Sequence, residues 1–301
     1  MVPADDPTIR TPVSSGARKL VGAHRTLDLS DHPRVMGVVN VTPDSFSDGG
    51  RYLDPKEAVA RAEVLVAEGA DLIDIGGEST RPGASPISPE VEWRRVEPVL
   101  RGLAGRISVP LSIDTRHSEV AARAVDAGAD LVNDVEGLRS DAMRRVVART
   151  GAATVIMHMR GTPATMQDDL EYADLRGEVS RWLAERTDAA LAEGIGPERI
   201  VVDPGLGFGK SPEQSLELLV NAGEFRRLGY PVLVGASRKS FLGWVTGTKD
   251  PEGRLEAGLA AAVIAALQGV ELVRTHDVGA TVRALARVAP AGNFGRRTSG
   301  A

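Results

Sequence analysis

Short apolar segments rich in β-branched residues alternate with longer amphipathic segments along almost the whole chain. Eight of the short segments are predicted as strands, at residues 35–42, 71–77, 110–115, 131–135, 154–158, 200–205, 231–237 and 272–276. Each is nearly continuously apolar, which is typical of a parallel strand covered on both faces. The segments between them, such as PKEAVARAEVLVAEG, place apolar residues at helical spacing. The alternation therefore predicts eight strand–helix units.

Two of these units resemble each other in sequence. EGADLIDIGG (68–77) and AGADLVNDVEG (127–137) share a helix-ending glycine, a short turn and a strand that ends in polar residues. Eight such units favour an α/β fold, a single (β/α)8 TIM barrel with a short N-terminal extension. An open doubly wound sheet is the alternative, but it usually has fewer strands and a glycine-rich first turn, which NVTPDSF is not.

The composition limits the domain count and the classes of partner. We expect one barrel domain at residues 35–288, a partly disordered arm and cap at 1–34, and a flexible tail at 289–301. A net charge of −5 argues against nucleic acid or an anionic membrane as a general partner. The longest apolar run, AGLAAAVIAAL, is far shorter than the roughly 20 residues that span a bilayer. With no cysteine and no secretory signal at the N-terminus, we expect a cytoplasmic protein.

The segment DPGLGFGKS (203–211) is similar to a nucleotide-binding loop but fits neither common pattern. A P-loop requires glycine where Pro204 stands, and a dinucleotide fingerprint requires glycine where Lys210 stands. The segment follows the sixth predicted strand. We therefore interpret its glycines as positions of close backbone approach to a ligand bound by Asp203.

Polar side chains end nearly every predicted strand. They are Asn40, Asp74, Glu78, Asp114, Asn133, Asp134, His158, Asp203, Ser237, Lys239, Arg274 and His276. Any one of them could be an ordinary turn or N-cap residue, an alternative that suits Glu78 and Asp134 best. Because barrel active sites form at the carboxyl ends of the strands, the whole set predicts one polar site. Lys210 is interpreted as a solvated surface lysine.

The predicted site has an acidic and amide arc and a cationic arc. Asp114, Asn133 and Asp203 would accept hydrogen bonds from a planar heterocycle with amino and ring N–H groups. In the cationic arc, Lys239 would bind a ring carbonyl, and Arg274 and His276 would bind an anion. The histidines are dispersed, which argues against zinc, whereas magnesium held by one protein oxygen and a substrate phosphate is compatible.

Eight motifs together carry a family resemblance. They are MGVVNVTPDSFSDGG (36–50), IDIGGESTRPGA (73–84), SIDTR (112–116), NDV (133–135), MHMRGTPATMQ (157–167), DPGLGFGK (203–210), GASRKSFLG (235–243) and RTHDV (274–278). In this order they resemble the dihydropteroate synthase family over roughly residues 35–288. The resemblance implies condensation of 6-hydroxymethyl-7,8-dihydropterin diphosphate with 4-aminobenzoate to give 7,8-dihydropteroate and pyrophosphate. It also implies Mg²⁺, a homodimer, and sulfonamides as competitive inhibitors.

The same resemblance implies a role for each site residue. The pterin and diphosphate would be bound by Thr80, Asp114, Asn133, Asp203, Lys239, Arg274 and His276. The 4-aminobenzoate would be bound by Phe46, Thr80, Pro82 and Ser240. Catalysis would involve Asn40, Asp44, Arg81, Lys239, Arg274 and His276, with Asn40 as the magnesium ligand. Asp44 and Phe46 lie in the first long loop, and Thr80, Arg81 and Pro82 lie in the second.

Small departures and two alternatives stay open at this point. Glu136 and Thr275 replace residues more common in the family, and RLEAGLAA differs slightly from its pattern, but none is an implied ligand. One alternative is a pterin-dependent methyltransferase acting on a corrinoid protein. It would not require the loops NVTPDSFSDGG and GESTRPG. The other is a catalytically silent pterin-binding paralogue, which would be expected to have lost some of the implied catalytic residues.

Overall fold

A computed structural model describes residues 19–42, 54–79 and 85–288. A hairpin comes first, formed by β1 (Lys19–Val21) and β2 (Thr26–Asp28). The eight strands that follow are β3 (Arg34–Asn40), β4 (Leu72–Gly76), β5 (Leu111–Asp114), β6 (Leu131–Asp134), β7 (Ala153–Met157), β8 (Ile200–Asp203), β9 (Leu233–Gly235) and β10 (Leu272–Thr275). Each overlaps one of the predicted strands.

All eight strands are parallel and form a nearly closed barrel. They are hydrogen-bonded in the order β8-β7-β6-β5-β4-β3-β10-β9. A bridge between Val202 and Val232 then joins β8 to β9, so that the sheet returns to its first strand. The prediction of a (β/α)8 barrel is therefore confirmed.

Helices lie between the strands, as the amphipathic segments predict. They are α1 (Pro55–Ala67), α2 (Pro89–Leu103), α3 (Ser118–Asp126), α4 (Asp141–Thr150), α5 (Leu175–Ala192), α6 (Pro212–Val220), α7 (Ser240–Thr246), α8 (Leu255–Leu267) and α9 (Val278–Val288). The side chains of Asp54 and Ser88 cap α1 and α2, each just before a proline at the first helical position. Among the described residues, no helix is long and apolar enough to cross a membrane.

The hairpin lies at the amino-terminal end of the barrel. Leu20 and Leu29 pack in one apolar cluster with the first inward-facing residues of the strands, among them Met36, Leu72 and Leu131. The buried carboxylate of Asp130 accepts hydrogen bonds from the backbone N–H groups of His24 at 3.1 Å and Leu111 at 3.0 Å. The part of the predicted arm that the structure describes thus packs against this end of the barrel.

The alternation of side chains along each strand separates an apolar from a polar layer inside the barrel. Leu72, Asp74 and Gly76 of β4 share one face, because successive side chains of a strand point to opposite faces. The register pairs Asp74 with Ser112 and Gly76 with Asp114. The inward-facing residues are therefore apolar at the amino-terminal end and polar toward the carboxyl end, where Gly76 leaves space.

Candidate active site

Asp74 lies at the centre of the polar layer and is fully buried. Its Oδ1 accepts a hydrogen bond from Oγ of Ser112 at 2.6 Å. Its Oδ2 accepts two hydrogen bonds, from Nδ2 of Asn133 at 3.0 Å and from Nε of Arg274 at 2.7 Å. One carboxylate thus links β4 to β5, β6 and β10 beneath the rim.

Arg274 bridges two carboxylates. While Nε contacts Asp74, Nη2 donates to Oδ2 of Asp114 at 2.8 Å. Burial disfavours the charged guanidinium, but the two carboxylates raise the pKa of Arg274 above its ordinary value. Burial raises the pKa of Asp114 to about 7, against the opposing effect of Arg274. The predicted members Asp114, Asn133 and Arg274 therefore form one connected group.

Asp203 ends β8 and is also buried. Its Oδ1 accepts a hydrogen bond from the backbone N–H of Gly205 at 2.7 Å. Burial raises the pKa of the Asp203 carboxyl, and the charge of Lys239 opposes that shift. Gly205 has a φ of +70°, and a β-carbon there would collide with the carbonyl oxygen of His158. Gly205 therefore allows close packing of the loop on the residue that follows β7.

Lys239 faces the loop that follows Asp203. Its Nζ donates to the carbonyl oxygen of Leu206 at 2.5 Å and lies 4.4 Å from the ring centroid of Phe208. Burial lowers the pKa of Lys239 to about 8, and Asp203 opposes this shift. Lys239 and Asp203 thus lie close enough for their charges to interact.

Lys210 is not a solvated surface lysine, so that interpretation is wrong. Its side chain is buried, with an exposed fraction of 3%. Nζ lies 2.9 Å from Nδ1 of His158 and donates to the carbonyl oxygen of Phe208 at 2.9 Å. Burial lowers the pKa of Lys210 well below its ordinary value. The turn that carries Lys210 folds back toward β7, so the lysine side chain is buried next to His158, the residue after that strand.

Asn40 and His276 meet at the carboxyl ends of β3 and β10. Nδ2 of Asn40 lies 3.5 Å from Nε2 of His276. On the other side of the imidazole, Nδ1 lies 3.1 Å from Oγ of Ser237. Three of the predicted strand ends are thus joined through one histidine.

A single protein oxygen for magnesium fits the local structure. In the described residues, no group of three or more histidine, aspartate or glutamate side chains could hold a metal ion. A β-carbon placed on Gly76 would lie 3.7 Å from Oδ1 of Asn40 and 3.7 Å from Oδ2 of Asp114, so both oxygens border the same space. A carboxamide oxygen is a ligand that Mg²⁺ accepts while it keeps most of its waters.

An ion pair joins the loops that carry Lys239 and His276. Nη2 of Arg238 lies 2.7 Å from Oδ1 of Asp277. Arg238 has a φ of +61°, a left-handed backbone conformation that arginine rarely adopts. Nη1 of Arg254 donates to the carbonyl oxygen of Arg238 at 2.9 Å. Sequence reasoning missed this pair, although each partner is adjacent to a predicted site residue.

Glu78 and Asp134 serve the loops rather than the polar group around Arg274. Glu78 accepts hydrogen bonds from Nε of Arg116 at 2.8 Å and from the backbone N–H of Ile87 at 3.0 Å. Asp134 accepts from the backbone N–H groups of Glu136 and Leu138, both at 2.9 Å. The turn-residue alternative therefore describes both side chains.

The remaining predicted site residues lie mainly in the two loops. Asp44, Phe46, Thr80, Arg81 and Pro82 fall outside the described residues. Ser240 is exposed at the first position of α7, directly after Lys239. Their implied contacts with 4-aminobenzoate stay predictions.

Comparisons of the sequence and of the structure with known proteins point to the same family. The model of the pterin binding enzyme family matches residues 36–276. A dihydropteroate synthase of Escherichia coli strain K12 is 44% identical over 267 residues, covering 89% of this chain and 94% of the relative. The solved dihydropteroate synthase of Xanthomonas albilineans with 4-aminobenzoic acid has a TM-score of 0.86 at 47% identity, covering 91% of this chain and 98% of that chain. That of Yersinia pestis with a sulfonamide drug has a TM-score of 0.86 at 42% identity, with the same coverage.

Proposed function

The chain belongs to the dihydropteroate synthases, within the pterin-binding enzyme family, and we propose that the polar rim of its barrel carries their reaction. The chain condenses 6-hydroxymethyl-7,8-dihydropterin diphosphate with 4-aminobenzoate, and the products are 7,8-dihydropteroate and pyrophosphate. One observation supports the location most strongly. Two buried carboxylates (Asp74 and Asp203) and the half-buried Asp114 lie next to half-buried cations (Lys239 and Arg274) at the carboxyl ends of the strands.

The acidic side of this rim suits the pterin ring. Asp114, Asn133 and Asp203 present oxygens that can accept hydrogen bonds from ring N–H and amino groups. Burial limits the access of water to these carboxylates, and it raises the pKa of Asp114 to about 7 and also raises that of Asp203. A ligand that brings N–H donors therefore supplies the hydrogen bonds that water supplies elsewhere.

The adjoining cationic side suits the diphosphate. Arg274 lies on β10, His276 follows that strand, and Asn40 ends the adjacent strand β3. Arg274 and His276 would bind phosphate oxygens, and Oδ1 of Asn40 would hold Mg²⁺ there. When bound, the metal supplies charge neutralisation for the leaving pyrophosphate.

The chemistry requires positioning and electrostatic stabilisation from this chain. The bond from the exocyclic methylene carbon to the diphosphate oxygen breaks, and pyrophosphate leaves with the bonding electron pair. The amine nitrogen of 4-aminobenzoate then forms a bond to that carbon and loses a proton. Asp203 and Asn133 would orient the ring, while Arg274 stabilises charge on the leaving group.

The second substrate would lie near Lys239. We propose that Ser240 and Lys239 border it, together with Phe46, Thr80 and Pro82, and that Asp44 and Arg81 take part in catalysis. The Phe208 ring below Lys239 supplies an apolar surface next to this position. We further propose that sulfonamides compete for it, since a dihydropteroate synthase of Yersinia pestis is known in complex with such a drug.

We also propose that the protein is a homodimer. Helix α8 is apolar around its whole circumference, a pattern typical of a helix that is covered on all sides. Ala261 and Ala265 face the barrel and are buried, whereas Ala260 and Leu267 are exposed on another face, with 57% of Leu267 accessible. A second copy packed on this face would cover it.

A single assay tests the reaction. Purified protein, dihydropterin diphosphate, Mg²⁺ and 4-aminobenzoate should give pyrophosphate and dihydropteroate in equal amounts. Tight pterin binding without either product would favour the silent paralogue or the corrinoid methyltransferase. A methyl-transfer assay with a corrinoid protein would then separate those two.

A further inference from the structure

Asp74 makes three hydrogen bonds from a position that solvent does not reach. Its exposed fraction is 0%, while Asn133 retains 6% and the Arg274 side chain retains 21%. Its two oxygens accept from Ser112, Asn133 and Arg274, as described above. Asp74 therefore lies behind the residues that line the rim and contacts them rather than the open space.

An ionised carboxylate only accepts hydrogen bonds, and this fixes how its neighbours are oriented. The Asn133 amide has an NH₂ group at one end and an oxygen at the other, in nearly the same shape. Because Oδ2 of Asp74 lies 3.0 Å from Nδ2, the NH₂ group faces Asp74. The Asn133 oxygen is then the end of the amide that remains for the pterin pocket.

Arg274 is oriented by the same carboxylate. Its Nε and Nη2 donate to Asp74 and Asp114, on two adjacent strands. A guanidinium is planar, so two hydrogen bonds to fixed carboxylates set the plane of the whole group. The position of this cation next to the pocket therefore depends on Asp74 as well as on Asp114.

From these contacts we propose that Asp74 is a positioning residue that sets the polarity of the pterin pocket. It keeps Asn133 turned with its oxygen to the ring and holds Arg274 in one plane, without touching the substrate. The pocket then selects ring edges that carry N–H donors over edges that carry acceptors. This inference rests on the proposed function of the site.

The test measures affinity for the dihydropterin by calorimetry and the two Michaelis constants by steady-state kinetics. Asp74→Ala should weaken dihydropterin binding by about 30-fold or more, because Ser112, Asn133 and Arg274 all lose an acceptor. Asp74→Asn should weaken binding clearly less than Asp74→Ala, because its amide oxygen can replace Oδ2 and its NH₂ group can donate to Ser112, although Arg274 loses the charge of one partner. The KM for 4-aminobenzoate should change by less than about twofold in both variants.

Two controls separate positioning from general damage. Asp71→Asn makes the same change at the residue just before β4, where Asp71 accepts from the backbone N–H of Val35 at 2.8 Å, and should leave both Michaelis constants unchanged. Combining Asp74→Ala with Asn133→Ala should weaken binding by clearly less than the product of the single effects, since Asp74 acts through Asn133. Asp74→Ser, whose shorter side chain cannot reach both donors, replaces Asp74→Ala if the alanine variant does not fold.

The outcomes decide separately on the two proposals. An inactive wild-type protein would refute the proposed function. An active wild type whose Asp74→Ala and Asp74→Ser variants keep normal dihydropterin affinity would refute the role of Asp74 alone. The role of Asp74 would also be refuted if both Michaelis constants rose equally in Asp74→Ala. It would be refuted as well if the loss of affinity in the double variant equalled the product of the losses in Asp74→Ala and Asn133→Ala.

Discussion

Nη2 of Arg238 lies 2.7 Å from Oδ1 of Asp277, and this ion pair connects the residue before Lys239 to the residue after His276. The two loops would otherwise be linked mainly through Ser237 and His276. Because Arg238 also has a φ of +61°, its backbone needs support from outside the loop. The pair thus helps to align a pocket lysine with a histidine on the neighbouring strand.

We expect Arg238→Ala and Asp277→Asn each to lower kcat/KM by about threefold, because an ion pair this accessible to solvent contributes up to about 1 kcal/mol. The kcat/KM of the double variant should be no lower than that of the more impaired single variant. Glu97→Gln removes an exposed ion pair on α2 and should leave the kinetics unchanged. Fully additive losses in the double variant would contradict a shared role.

Asp203→Ala should abolish binding of the dihydropterin. The carboxylate is buried at the end of β8, so a truncated side chain leaves ring donors without an acceptor. Calorimetric titration measures the effect, and Asp169→Ala in an exposed loop is the matched control. Near-normal affinity in Asp203→Ala would refute the assignment of this pocket.

Asn40→Ala should raise the Mg²⁺ concentration at half-maximal activity by about tenfold or more, since the one protein ligand proposed for the metal is lost. A magnesium titration of the initial rate measures this shift. Asn221→Ala provides the control, because that side chain only donates to the Glu217 carbonyl near the end of α6. An unchanged magnesium requirement would remove Asn40 as the ligand.

His117 should make the stability depend on pH. Its Nδ1 lies 2.7 Å from Oε2 of the buried Glu92, and this hydrogen bond raises the pKa of His117 above 6.5. The folded state therefore binds the proton more tightly than the unfolded state. The stabilisation is fully present below pH 6.5 and is lost as the pH rises through the folded pKa.

Denaturant unfolding of His117→Gln measures that contribution. We expect the variant to lose about 1 kcal/mol more at pH 6 than at pH 9, since a hydrogen bond between charged partners is the stronger one. An equal loss at both pH values would show that the charge on His117 does not matter.

Leu267→Glu should convert the proposed dimer to a monomer, because a charge would then face the interface. Light scattering coupled to size exclusion measures the mass. Val64→Glu on α1, where 47% of the side chain is exposed, should leave the mass unchanged. A wild type that is already monomeric at micromolar concentration would contradict the dimer.

The strands and their polar ends could be predicted because they depend on local pattern. A buried parallel strand is apolar throughout, so a polar residue at its end stands out, as Asn133 and Asp203 do. The hydrogen bonds of Asp74 could not be predicted, because its partners lie 38, 59 and 200 residues away along the chain. One available signal was its place in the middle of a buried strand.

The burial of Lys210 depends on backbone conformation rather than composition. Gly205 and Gly209 both have positive φ angles, and these turn the loop back toward β7. A lysine after a glycine-rich run is normally read as exposed, and sequence alone does not give the path of such a run. The contact between Lys210 and His158 depends on this path of the backbone.

The pairing of β8 with β9 has a consequence for the bound enzyme. The strands are joined by the Val202–Val232 bridge, and Asp203 lies on one side of this seam while Lys239 lies on the other. A substrate bound by both residues would therefore stabilise the junction between β8 and β9, which a single isolated bridge joins. Hydrogen exchange should therefore slow on ligand binding at the amides of this seam, beyond any general protection.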